Sequence, residues 1–235
     1  MKKKPAAVQR IAELIRQECL QREYGERIGS EDDLLANYGT SRLTLRHASA
    51  VVVAEQLLKT RRGANGGYFA SRPKSDIVAH IAAIYLQTVD TSLKHLLDAQ
   101  ASIRVGIVGY ACTSKDNKAR VVLREFIEQY KEVDHINMTF DEFMITQREF
   151  ARILYQLSGN PVFSLFSETL IDLTANLYPI ESIFRNKSAR YEEYANSVIK
   201  LGEAVYNREK HLGPELAKKM TNKLEFWAKK EDLLS

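Results

Sequence analysis

The feature that most constrains this chain is a glycine between two short helical patterns. Ser30-Glu31-Asp32-Asp33 places a serine three residues ahead of an aspartate, the pattern that caps a helix N-terminus. The apolar residues Leu34, Leu35 and Ala36 continue that helix to Asn37-Tyr38-Gly39, where glycine suits the left-handed residue that stops it. Thr40 or Ser41 then caps a second helix, whose buried stripe is expected at Leu45, Ala48 and Val52, with Ala54 at its end. Two short helices around a glycine turn form a helix-turn-helix, whose second helix can lie in a DNA major groove.

The flanking residues narrow the reading. Val8, Ile11, Ile15 and Cys19 recur at helical spacing and predict an amphipathic helix from about Ala6 to Gln21. Gly25 falls in the loop that follows it. Leu57-Leu58-Lys59-Thr60-Arg61 reads as a strand, Arg62-Gly63-Ala64-Asn65-Gly66-Gly67 as a flexible turn, and Tyr68-Phe69-Ala70 as a returning strand. A hairpin with a basic, glycine-rich tip after a helix-turn-helix is a wing able to reach an adjacent groove. No Lys-Ser/Thr pair and helix follow the glycines, which argues against a nucleotide-binding P-loop. Exposed Ser41, Arg42, Thr44 and Arg46 open the second helix; arginine can grip guanine with two hydrogen bonds or neutralise a phosphate. The plainer reading of the same residues is an ordinary capped surface helix.

Charge divides the chain in the same way. Residues 1–75 carry 14 Lys and Arg against 8 Asp and Glu, whereas the remaining 160 carry 20 against 22. Only the first part has the charge to meet a polyanion.

Together these runs resemble the winged helix of the GntR family. The resemblance covers about residues 8–71 and rests on Gly29-Ser30-Glu31, on Gly39-Thr40-Ser41-Arg42-Leu43-Thr44-Leu45-Arg46, on Leu57-Leu58, and on Arg62 through Phe69. It implies DNA contacts from Arg42, Thr44 and Arg46, and from Arg62 with Gly63 at the wing tip. Two departures stand out: Asp32 replaces an arginine that usually contacts DNA, and Gly29 replaces a common proline.

Ser71-Arg72-Pro73-Lys74-Ser75 is polar, and Pro73 discourages a helix across it. The expected organisation is a winged helix at 1–71, a linker at 72–75 and an all-α domain at 76–235. Helices are predicted near 76–88, 92–112, 117–133, 139–157, 161–177, 187–210 and 215–230. Asn160-Pro161 after Gly159, and Gly213-Pro214, mark boundaries by the proline-in, glycine-out rule. The fold class is therefore mostly α: an N-terminal winged helix-turn-helix and a C-terminal bundle of six or seven helices.

Such a bundle after a GntR-type winged helix resembles the FadR-type effector domain, through Ile103-Arg104 and the run Phe150-Ala151 to Ser158-Gly159-Asn160-Pro161. Many members hold a metal with one Asp and three His. The matching positions here are Gln147 and Ala151, with looser placement near Val198 and Lys223, so the expectation is no metal and no cofactor. None of the five histidines pairs with another at helical spacing or stands beside a cysteine. By the resemblance Arg104 can face a ligand cavity and pair with a carboxylate or phosphate; the alternative is an arginine snorkelling or ion-paired at a helix interface. Tyr110 and Tyr155 are the aromatic effector-lining candidates, with Phe150 and Trp227 beside them, and core packing is the competing role for each.

No catalytic motif is present, so the chain reads as a regulator and not an enzyme. The expected partners are double-stranded operator DNA, a small-molecule effector bearing a carboxylate or phosphate, and a second copy of the chain, since one winged helix has a small footprint. No membrane is expected, because no run of about 18 apolar residues exists. Cys19 and Cys112 are isolated thiols, which fits the reducing cytoplasm. A competing reading is a DNA-tethered protein-interaction module without an effector; a cavity in the bundle would favour the effector, a solid core the module.

Overall fold

The computed structural model describes residues 7–63, 65–185 and 187–234. The expected helix start at Ala6, Ala64 in the wing turn and the last residue, Ser235, lie outside them. The chain divides into two compact units, Met1–Ile77 and Val78–Ser235.

The first unit runs α1 (Ala7–Gln21), β1 (Arg27–Gly29), α2 (Glu31–Tyr38), α3 (Arg42–Ala54), β2 (Leu58–Arg61) and β3 (Gly67–Ala70). Ser30 caps α2 in a reciprocal box with Asp33, and Ser41 caps α3 by accepting the Thr44 amide. Gly39 ends α2 at φ +55°, and its amide bonds the Leu35 carbonyl. Ile11, Ile15, Leu34, Leu45, Ala48 and Val52 close the core between the three helices. Ala54, expected on the buried stripe, is exposed, because the chain leaves α3 there. The sheet has three antiparallel strands in the order β1-β3-β2, where only the β2–β3 hairpin was expected. Arg27 pairs with Phe69 across β1–β3, and Lys59 with the same Phe69 across β2–β3. A three-residue strand is too short to show alternation, which is why β1 reads as loop.

The expected linker is tied to this unit. Arg72 donates to the carbonyls of Cys19, Ser71 and Arg22, and the Lys74 amide donates to Gln56. Ser75 already belongs to the next helix.

The second unit is a bundle: α4 (Ser75–Gln87, its first turn in the first unit), α5 (Leu93–Thr113), α6 (Asn117–Lys131), α7 (Phe140–Ser158), α8 (Pro161–Leu177), a 3-10 turn at Ile180–Ile183, α9 (Ser188–Tyr206) and α10 (Leu212–Lys230). Helix α5 packs against α7, α8, α9 and α10. Two boundaries differ from expectation. α9 stops at Tyr206 because Arg208 turns left-handed at φ +61°. α10 starts at Leu212, ahead of Pro214, whose missing N–H costs nothing in a first turn.

One buried cation organises this bundle. Arg120 on α6 donates to the carbonyls of Val205, Tyr206, Ala111 and Ser114, at the C-terminal ends of α9 and α5. Those ends carry the unpaired carbonyls and the negative pole of each helix dipole, so the guanidinium satisfies both at once.

Candidate nucleic-acid interface and bundle cavity

Helix α3 begins with a cap and ends its first turn with cations. Ser41 is occupied locally: its Oγ accepts from the Thr44 amide at 3.2 Å and lies 2.9 Å from Thr44 Oγ1. That leaves Thr44 half-buried and the two arginines as the exposed reach of the helix. Arg42 and Arg46 lie one turn apart, on one face. They differ in their partners. Arg42 Nη2 donates to Asp32 Oδ1 at 3.0 Å, and its Nε lies 3.9 Å from Glu31 Oε1. Arg46 has no hydrogen-bond or ion-pair partner among the described residues. Arg62 and Gly63 are exposed in the turn joining β2 to β3. Beside them Arg61, which the sequence did not single out, stacks its guanidinium 4.5 Å from the Phe69 ring centroid.

The bundle contains a cavity of about 140 Å³ between α5, α7, α8 and the 3-10 turn. Its walls are mostly apolar, from Ile107, Phe143, Phe150, Leu154 and Phe184 among others, with a few polar groups converging. Arg104 and Tyr155 both line it. Arg104 is half-buried, and its one hydrogen bond is a long 3.4 Å contact to Thr221 Oγ1; no carboxylate pairs with it among the described residues. The second arginine in the wall, Arg148, is neutralised by Asp172 at 2.8 Å. Tyr155 donates to Ser167 Oγ at 2.9 Å, and burial pushes its phenol pKa up, so the hydroxyl stays protonated. Gln100 and Gln147 complete the polar set, the first bonded to Thr174 and the second to Tyr130.

Tyr110 does not belong to this site. It is 56% exposed and rests its ring 5.7 Å from that of Phe163. Six residues beyond Arg104, it is turned about 120° around the same helix. Trp227 also packs elsewhere, edge-on to Phe184 in the core. Ser167 and Arg148 are wall residues that the sequence reading missed, since neither stands in a local pattern.

A metal of the FadR kind does not fit these residues. Gln147 and Ala151 do face the cavity, but one offers a neutral amide already bonded to Tyr130 and the other a methyl group. Val198 is fully buried and apolar, and Lys223 is paired with Glu193 and bonded to Ser197. No group of three His, Cys, Asp or Glu converges among the described residues.

No protein-family model matches the chain. Over 181 residues it is 23% identical to the HTH-type transcriptional repressor NanR of Salmonella newport, covering 73% of this chain and 68% of that one. The NanR repressor of Escherichia coli O127:H6 matches equally, over 67% of its length. Among solved structures, Streptococcus agalactiae GntR superposes with a TM-score of 0.64 at 17% identity, over 95% of this chain and 99% of that one. E. coli McbR/YncC gives 0.52 at 13% identity, over 97% and 100%. The chain shares the fold of Streptococcus agalactiae GntR. The family resemblance read from its sequence and the expected fold class both hold, and its relatives are named as repressors, not enzymes. No helix among the described residues is long and apolar enough to cross a membrane.

Proposed function

We propose that this chain is a homodimeric transcription regulator that binds operator DNA through its first unit and an acidic small molecule in its bundle. In this reading Arg42, Thr44 and Arg46 enter the major groove from α3, Ser41 fixes the start of that helix, and Arg62 with Gly63 carries the wing to the backbone. A second copy supplies the second half-site. The relatives' description as repressors supports a repressor here.

The effector half rests on one observation: Arg104 lies in an apolar cavity without a carboxylate partner. A cation drawn half out of water is ordinarily paired, so one without a carboxylate partner in a cavity wall is complementary to an anionic ligand. Tyr155, Ser167 and Gln147 supply neutral hydrogen bonds to the rest of such a molecule. The cavity itself favours an effector over a pure interaction module. Ligand then acts by population shift, favouring one placement of the two winged helices over another; a tenfold change in DNA affinity needs about 1.4 kcal/mol of differential binding.

Titration calorimetry with a panel of small carboxylates and phosphate esters tests this on wild type and Arg104→Leu. The expected result is one class that binds wild type and binds the variant at least about tenfold more weakly. A ligand held equally by both proteins would place the effector site elsewhere.

A further inference from the structure

The pairing at the start of α3 says more than that the helix is basic. Arg42 is the first residue of α3, at the positive end of its dipole, where a cation is disfavoured. Carboxylates in the first turn of α2 offset that, chiefly Asp32. Of the three acidic residues there, Asp33 is committed to the Ser30 cap, and Glu31 stands 3.9 Å off. Asp32 alone makes a direct hydrogen bond to Arg42, and both side chains are open to solvent, at 81% and 70% exposure. An ion pair this open contributes little to folding, about 0–1 kcal/mol. Its consequence is the orientation of the guanidinium.

That orientation suits a base edge. Nη2 carries two hydrogens, of which one goes to Asp32. The other remains with Nη1 and forms the two-pronged donor that matches guanine O6 and N7. Asp32 Oδ2 accepts no bond from any described residue and is available as an acceptor. In the major groove a carboxylate oxygen accepts from the exocyclic amino groups of cytosine and adenine. The negative charge also opposes close approach of phosphate, which weakens binding to DNA of arbitrary sequence.

Resting on the DNA-binding reading above, we propose that Asp32 is a specificity-determining residue. It holds Arg42 on a guanine, and its free oxygen reads the amino group of a cytosine or adenine on one strand of the neighbouring base pair, so that the two side chains recognise a two-base step.

Selection from a randomised duplex library with full-length wild type, Asp32→Ala, Asp32→Asn and Arg42→Ala tests this. Wild type should select a guanine and, at one fixed neighbouring position of a given strand, cytosine or adenine over guanine or thymine, which present acceptors there. Asp32→Ala should lose the flanking preference and weaken the guanine preference by up to about fivefold, while its affinity for unselected duplex rises. Asp32→Asn, which lacks the charge, should show the same rise in unselected binding. Arg42→Ala should lose the guanine. An Asp32→Ala protein that selects the wild-type motif with undiminished preference overturns the inference and leaves DNA binding intact. Wild type that selects no motif breaks the DNA-binding reading itself, and this inference with it.

Discussion

The start of α3 and the interior of the bundle treat their arginines in opposite ways. In the winged helix Arg42 and Arg46 stand in water, one lightly held by Asp32 and the other without a partner among the described residues. In the bundle Arg120 is buried against four carbonyls, and Arg148 is paired with an Asp172 that is only 17% exposed. A solvated cation needs no partner, so its freedom indicates only availability to a polyanion. A buried cation must be matched, so the partners of Arg120 and Arg148 show what each is built to meet. By that standard Arg104, half-buried and bonded only to Thr221, is the informative exception.

The contrast is broken most directly by removing the best-matched cation. Arg120→Leu leaves carbonyls at the ends of α5 and α9 without their donor, and should cost on the order of 3 kcal/mol in urea unfolding. An exposed arginine of α3, removed in the same way, should move stability by no more than about 0.5 kcal/mol. Equal losses would mean that burial does not separate the two sets.

Two glycines sharpen the same comparison at a smaller scale. A Cβ at Gly202 on α9 would lie 2.9 Å from Ile127 side-chain atoms and 3.5 Å from Phe150. Gly202→Ala should therefore cost about 1–3 kcal/mol through overpacking, and Ile127→Ala in the same chain should relieve part of the clash. Gly39 has nothing within 4 Å of such a Cβ, but its φ is +55°. Gly39→Ala should cost about 1–2 kcal/mol through backbone strain alone, with no neighbour able to rescue it. Rescue in the first case and none in the second is what distinguishes a packed interface from a constrained turn.

The same physical difference decides what could be read from the sequence. Turns and caps are local, so Ser30 with Asp33, Gly39, Ser41, and Asn160 with Pro161 mark their helices in the sequence itself. The exposed start of α3 followed from them, because its residues are consecutive. The cavity did not, since its walls come from segments far apart in sequence. Arg148 meets Asp172 across 24 residues, and Tyr155 meets Ser167 across 12, with no periodic signal to announce either. Tyr110 lies off the cavity for the reverse reason: its neighbours in sequence include core residues, but its own angle on α5 faces solvent. Arg42 was expected as a DNA contact, and its partner Asp32 was visible only as a departure from a pattern, not as the other half of a pair.

Everything proposed for the first unit depends on α3 meeting DNA. Fluorescence anisotropy of a selected duplex, titrated with wild type and Arg46→Ala at two salt concentrations, tests that most directly. Arg46→Ala should bind about tenfold more weakly, within the 1–3 kcal/mol expected of a base-reading arginine, and wild-type affinity should fall steeply with salt. Thermal unfolding should be unchanged, because the side chain is exposed. Equal affinity of the two proteins at both salt concentrations would contradict the placement of this helix on DNA.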